Sequence, residues 1–443
     1  MKIILDAWFD NNFGDDLFIN TVLNRYPDAE FYAFWNHAHL AVLKRVMQFR
    51  NLNIMPGNCR IMDDMAFDGY VMVGGDVFMD GVDYSWRIQN MKAVKNRGGF
   101  VALQGFNLYE EYSDETIENL RIVMGLADVI VPRDEASAER LRRFVPGVVV
   151  TPSADMAFTG TYLQVKDKQR SILGIAPRRK YMTDDEAYAE YCSASAAIAD
   201  GWLQNHPDGL VRFLAFSTGV YDDVVVSGDI IARMECPNQT EIVPYGGNLN
   251  EFLELMGSCT AMLPTRFHGM VFALIFGIPF VPMTYEVKLN QLLDELQYQG
   301  LRLPYAVKIS EKELHSAVAA LDLWQVDEGA LARYYEKAAK FFAGLDALVQ
   351  VKQAEGEQAP GDEGRFVCKA LADARLELIN MGYQIQWLKG EYDALGLRNE
   401  ALQETLDVAN SLYTDLLAKT NSFKGLAYLF AKKIYTMLRR GKA

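Results

Sequence analysis

The stretch KIILDAWFDNNFGDDLFINTVL, residues 2–23, decides the fold. Residues 2–8 read as a short buried strand, and Gly14-Asp15-Asp16 then opens a helical pattern in which Leu17, Ile19, Val22 and Leu23 are apolar. That is one βα unit, and the alternation recurs along the chain. Further strands are expected at Tyr70–Val73, Phe100–Leu103, Val129–Val131 and Val148–Val150, with helices over 84–96, 115–125 and 135–144. A second series starts near Ser171, with strands expected at Ile172–Ala176, Val211–Phe216, Ile242–Pro244, Ala261–Leu263 and Phe280–Met283. Strands alternating with helices imply parallel, doubly wound sheets. The expected fold is α/β: a Rossmann-like domain over 1–165 and a second over 166–350.

The 443 residues suit two domains plus an extra element. Half are apolar and 23% charged, as in a folded chain. Against 58 Asp and Glu stand 44 Lys and Arg, and the net charge of −14 repels nucleic-acid phosphates, which excludes a general DNA or RNA binder. The five cysteines form no C-x-x-C pair, so neither a zinc site nor a disulfide framework is expected. Asp6 interrupts the first apolar run too early for a secretory or membrane-spanning segment, and the chain is expected to be cytoplasmic.

Four strand-to-helix connections carry cations. Arg133-Asp134 follows Val129–Val131, Arg178-Arg179-Lys180 follows Ile172–Ala176, Arg266-Phe267-His268 follows Ala261–Leu263, and Lys288 follows Phe280–Met283. Helix starts disfavour positive charge, and a bound anion removes that penalty. An anionic substrate is therefore the simplest account. Singly, each residue also has a structural reading: an ion pair for Arg133 with Asp134, a solvated loop for Arg178 to Lys180, a surface position for Lys288, a core ring for His268. The Asn12-to-Asp16 segment lacks the G-x-G-x-x-G of a dinucleotide loop. Asp15 and Asp16 suit helix capping or the hydroxyls of a neutral sugar, and Gly74-Gly75 permits a close backbone approach.

With these residues in view, the chain resembles the polysaccharide pyruvyl transferases. The matching stretches are Asn12-Phe13-Gly14-Asp15-Asp16-Leu17, Val73-Gly74-Gly75, Gln104-Gly105, Arg133-Asp134-Glu135-Ala136-Ser137, Ala154-Asp155-Met156-Ala157-Phe158, Thr265-Arg266-Phe267-His268, Gly277-Ile278-Pro279 and Tyr285-Glu286-Val287-Lys288, in that order. The resemblance implies a GT-B-like pair of domains, phosphoenolpyruvate as donor, and transfer of pyruvate as a ketal onto two hydroxyls of a bacterial surface or exopolysaccharide sugar, free or lipid-linked. By the matching motifs, Arg133, Arg266, His268 and Lys288 would hold or act on the donor, and Arg178 joins them by its place at a strand end. Asn12, Asp15, Asp16, Gly74 and Gly75 would lie on the acceptor side. Asp76 stands where the family often has a third glycine, and Asn107-Leu108 where it often has Gly-Pro.

The chemistry fits these residue types. Phosphoenolpyruvate carries a carboxylate and a phosphate, which call for fixed cations. Ketal formation needs a proton at the methylene carbon, a task for a side chain titrating near neutrality. His268 is expected as general acid, Arg133 and Lys288 as grips for the anionic groups, and Arg266 as the residue orienting the donor. No metal or cofactor is required. The rival readings are a nucleotide-sugar glycosyltransferase of the same architecture and an inactive membrane-associated scaffold.

Beyond about residue 300 the resemblance ends. Residues 351–365, with Gly, Pro and acids, read as a linker. Leu371, Leu378, Ile385, Tyr392, Asn399, Leu406 and Tyr413, with Ala374, Met381, Leu388, Leu395, Leu402, Ala409 and Leu416, form a heptad seam over 366–417, which predicts a coiled-coil homodimer. The basic end, 418–443, puts Phe423, Leu426, Phe430, Ile434 and Met437 on one helical stripe, which predicts peripheral binding to an anionic membrane surface at the inner face of the cytoplasmic membrane. In liposome flotation, the full chain should rise with anionic vesicles and a truncation at Thr420 should not; equal partitioning of both would contradict this.

Overall fold

The computed structural model describes residues 1–9, 12–35, 50–56, 66–151, 153–163, 170–179, 184–218 and 222–358. Strands β1 (Lys2–Asp6), β2 (Glu30–Trp35), β3 (Leu52–Pro56), β4 (Gly69–Val73), β5 (Phe100–Phe106) and β6 (Val129–Pro132) form one sheet in the order β3-β2-β1-β4-β5-β6. Strands β7 (Ile172–Ala176), β8 (Leu210–Ala215), β9 (Thr240–Pro244) and β10 (Ala261–Pro264) form a second in the order β10-β7-β8-β9. All of these pairings are parallel. Strands β1, β4, β5 and β7 are buried along their whole length, which is why they read as continuous apolar runs.

The first unit carries helices α1 (Phe13–Arg25), α2 (Ser85–Asn96), α3 (Asp114–Leu126) and α4 (Glu135–Phe144). In the second are α5 (Asp185–Asn205), α6 (Asp223–Ile231), α7 (Leu249–Gly257), α8 (Phe267–Ile275) and α9 (Val287–Glu295). Helices α10 (Glu311–Ala320), α11 (Glu328–Ala338) and α12 (Ala343–Gln358) follow. Each sheet reverses its winding beside its first strand, between β1 and β4 and between β7 and β10. At such a switch point the connections diverge and leave a crevice at the carboxyl ends of the strands.

Several expectations need correction. Val148–Val150 is not a strand: Thr151 N–H bonds to Ile130 O, no ladder follows, and Val149 is 86% exposed. Phe280–Met283 is split, because Phe280 bridges to Met262 while Met283–Thr284 (β11) pairs with Leu303–Pro304 (β12). Strands β2 and β3 were not anticipated. The 166–350 boundary does not separate the two cores: Phe341, Phe342, Leu345 and Val349 pack into the core of the first unit. Helix α12 runs through Gln358, so residues 351–358 are helical rather than linker. The heptad seam and the basic tail lie outside the described residues.

Phe13 fastens the units together. It belongs to α1 but sits in the second unit's core, with ring contacts to Phe216, Tyr245, Phe252 and Phe272 at 5.1–5.5 Å. Its backbone N–H donates to Phe216 O at 3.0 Å. At the other end of α1, Arg25 and Tyr26 bond to Asp346 of α12. Truncating a buried phenylalanine costs about 3–5 kcal/mol. Phe13→Ala should lose that much in urea denaturation, and a loss below about 1 kcal/mol would show that Phe13 is not an anchor.

Candidate active site

The two switch points face each other, and the cations gather between them. Arg133 leaves β6, Arg178 leaves β7, Arg266 and His268 leave β10, and Lys288 lies in the first turn of α9. Helices α8 and α9 open here without a side-chain cap, their N-cap residues being Arg266 and Glu286. By contrast, Asn12, Ser113, Asp134 and Asp184 cap α1, α3, α4 and α5. Uncapped helix starts flanked by cations suit an anion.

His268 lies in the first turn of α8. Its ring packs edge-on against Phe18 at 5.2 Å, and a Cβ on residue 14 would stand 2.2 Å from its Nδ1. Glycine at 14 therefore makes room for the imidazole. The His268 Nε2 has no hydrogen bond and lies 3.9 Å from the Asp155 carboxylate. Burial, and then the positive charges of Arg133, Lys288 and Arg266, lower the His268 pKa to about 3. The ring is neutral at neutral pH, and an anion beside it would raise its pKa.

Arg133 is buried, with its guanidinium over the Phe267 ring at 4.5 Å and its Nε 3.9 Å from Asp134 and 4.0 Å from Asp155. Neither contact is a hydrogen bond, and its Nη2 has none. Burial opposes its charge, but Asp155, Asp134 and Asp76 raise its pKa. The Arg178 guanidinium lies over the Tyr285 ring at 5.1 Å, with Nε likewise unbonded. Asp155 is fully buried; Oδ1 accepts from Ala157 N–H at 2.9 Å, while Oδ2 is unbonded. Burial pushes the Asp155 pKa up against the pull of Arg133. Gln104 in β5 and Asn107 just beyond it also have unbonded buried atoms. A buried polar atom without a partner costs about 1–3 kcal/mol, and a polar ligand would complete the bonding of these six residues.

Other residues are placed differently from expectation. Arg266 donates to both oxygens of Asp223, at 2.9 and 2.5 Å, in a buried ion pair that Ser217 N–H joins at 3.1 Å. This ion pair ties the start of α8, where His268 lies, to the start of α6. Lys288 is paired with Asp76 at 3.0 Å and Glu286 at 2.8 Å. Arg179 turns outward to Asp185, and Lys180 lies outside the described residues. The half-buried Asn12 side chain caps α1 through Gly14 N–H, and the buried Asp16 carboxylate accepts from Tyr245 OH at 2.7 Å; Asp15 lies half-buried in the same turn. Gly75 does line the crevice, since a Cβ there would meet Arg133 Nη1 at 2.9 Å, and Gly74 has a φ of 145° that favours glycine.

Sequence reading gave no chemical role to Asp76, Gln104, Asn107, Asp155 or Asp223. The first four stand in or beside the quoted motifs, so proximity to those motifs was the available signal. Asp223, far from them in sequence, gave none.

A parallel α/β protein with an anion-seeking crevice between two units is the class these features define. The chain belongs to the polysaccharide pyruvyl transferase family, whose model matches residues 7–287, and this supports a transferase acting in polysaccharide modification. No protein of curated function matches it. Among solved structures it is similar to a putative UDP-N-acetylglucosamine 2-epimerase from Listeria monocytogenes, at 13% identity and a TM-score of 0.48, covering 82% of this chain and 98% of that one. It is also similar to Anabaena HepE in complex with UDP and glucose, at 12% identity and a TM-score of 0.47, covering 80% and 98%. Among the described residues no helix is long and apolar enough to cross a membrane.

The depressed His268 pKa has a consequence for stability. The ring titrates near 3 in the folded chain and near 6.5 when unfolded, so between those values the unfolded chain binds one more proton. Stability is therefore undiminished by this group above about pH 6.5 and is lost as pH falls, by about 1.4 kcal/mol per unit. In urea titrations, the wild-type advantage over His268→Gln should shrink by about 2 kcal/mol between about pH 6.5 and about pH 5. A constant difference would contradict the assignment.

Proposed function

We propose that this chain transfers pyruvate from phosphoenolpyruvate to two hydroxyls of a saccharide, forming a ketal and releasing phosphate. The observation that supports this reading is that Arg133 Nη2, Arg178 Nε and His268 Nε2, which follow the carboxyl ends of β6, β7 and β10, are all buried and unbonded, beside two uncapped helix starts. A small molecule with two anionic groups matches that set.

Arg133 and the start of α8 hold one anionic group, while Arg178 and Lys288 at the start of α9 hold the other. Their charges cancel those that keep His268 neutral, so the imidazole gains a proton as the donor binds. It then gives that proton to the methylene carbon, leaving positive character at the carbon that the sugar hydroxyl attacks. Asp155, 3.9 Å from Nε2, supports the imidazolium. The heptad seam over 366–417 and the basic end at 418–443 would pair two chains and bring their sites to a lipid-linked acceptor.

Calorimetry with phosphoenolpyruvate in buffers of different ionisation enthalpy should show proton uptake on binding, and His268→Gln should bind while losing that uptake. Arg133→Ala and Arg178→Ala should bind at least tenfold more weakly, each losing a charge-assisted bond worth about 1.5–3 kcal/mol. Mass spectrometry of a saccharide incubated with phosphoenolpyruvate should detect the ketal with wild type and not with His268→Gln. Binding of UDP-sugars in place of phosphoenolpyruvate would contradict the reading, as would full turnover by His268→Gln.

A further inference from the structure

Asp76 stands at the centre of a bonding network that spans the crevice. Its Oδ2 receives Lys288 Nζ at 3.0 Å, and its Oδ1 receives Asn107 Nδ2 at 2.7 Å and Tyr109 OH at 3.1 Å. Its backbone carbonyl accepts from the Trp8 indole at 3.1 Å. Asp76 belongs to the first unit and Lys288 to the second. The buried carboxylates of Asp155 and Asp223 are closed to solvent, whereas the Asp76 side chain is 37% exposed beside an exposed Tyr109. Burial alone would raise the Asp76 pKa, but Lys288 and Arg133 hold it well below the ordinary range.

We propose that Asp76 receives the acceptor hydroxyl, and that Lys288 masks this carboxylate until an anionic donor takes the lysine. The proposal rests on the donor reading above. Asp76 and Glu286 already share the Lys288 ammonium group, and a doubly charged donor that also engages Arg133 and Arg178 draws it away from Asp76. Asp76 then loses its main counter-ion and becomes more basic just as a proton acceptor is needed. In the first addition, the sugar hydroxyl oxygen bonds to the enolpyruvyl carbon that carries the phosphate. The hydroxyl proton passes to Asp76, and the double-bond electron pair takes a proton from His268 at the methylene carbon. The second hydroxyl closes the ketal, and phosphate leaves with the electron pair of its C–O bond and that hydroxyl's proton. Donor therefore binds first and acceptor second. The exposed face of Tyr109 borders the carboxylate and offers an apolar surface to a sugar ring.

Asp76→Asn removes one of the two carboxylate charges that hold Lys288 and keeps a side chain of the same shape. Calorimetry on the full chain, with inorganic phosphate and separately with phosphoenolpyruvate, should show the variant binding both about tenfold more tightly than wild type. Lys288→Met should bind both more weakly. A merely structural Asp76 would give equal or weaker phosphate binding in Asp76→Asn, and that result overturns the mask. In phosphate-release assays with phosphoenolpyruvate and a panel of methyl hexosides, Asp76→Asn should lower both the donor KM and kcat, the latter by about a hundredfold or more. Wild-type kcat in the variant overturns the hydroxyl-receiving role. If phosphate binds more tightly to Asp76→Asn but wild type prefers phosphate to phosphoenolpyruvate, the mask stands and the donor reading fails.

Discussion

A buried guanidinium must find a negative partner, and around this crevice the chain supplies some partners and withholds others. Arg266 receives a complete one in Asp223. Arg133 and Arg178 each keep a buried nitrogen with no hydrogen bond, although Asp155 and Asp134 stand near Arg133 at the outer limit of an ion pair. An acidic protein has carboxylates to spare, so incomplete pairing at these two positions requires an explanation. The dianionic donor we propose would provide it, and would also account for α8 and α9 opening without caps. A neutral His268 belongs to the same balance, because burial and the charges of Arg133, Lys288 and Arg266 disfavour a further positive charge here.

Among the described residues, the fold serves this arrangement through close packing. Gly14 makes space for the imidazole and Gly75 for the Arg133 guanidinium, each from the first unit. Phe13, next to Gly14, is buried in the second unit's core, so the segment that shapes the His268 pocket also joins the two halves. The chain crosses between cores again near Ala154–Phe158 and returns after Ala338, and Asp155 lies on the first of those crossings with Tyr334 OH accepting from its backbone N–H.

Much of this was legible in the sequence. Buried parallel strands are long apolar runs, so β1, β4, β5, β6, β7 and β10 could be placed, and with them the cations that follow strand ends. Strands β2 and β3 were hidden because EFYAFW and LNIMP carry no clean alternation. The motif residues Arg133, His268 and Lys288 do converge, but sequence could not say which cation already had a carboxylate. That depends on Asp223, over forty residues before Arg266, and on Asp76, more than two hundred before Lys288. The two departures from the family pattern, Asp76 and Asn107, bond to each other at 2.7 Å, a pairing that only three dimensions reveal. Nor could sequence show the bonds that Asn12 makes as the α1 cap and that Asp16 makes with Tyr245.

The most direct test of the central claim is a crystal structure of the chain soaked with phosphoenolpyruvate. The donor should lie between the two units, with its oxygens about 2.7–3.2 Å from Arg133 Nη2 and Arg178 Nε and its methylene carbon facing His268. A donor bound elsewhere, with these nitrogens satisfied by neighbouring side chains, would contradict the account.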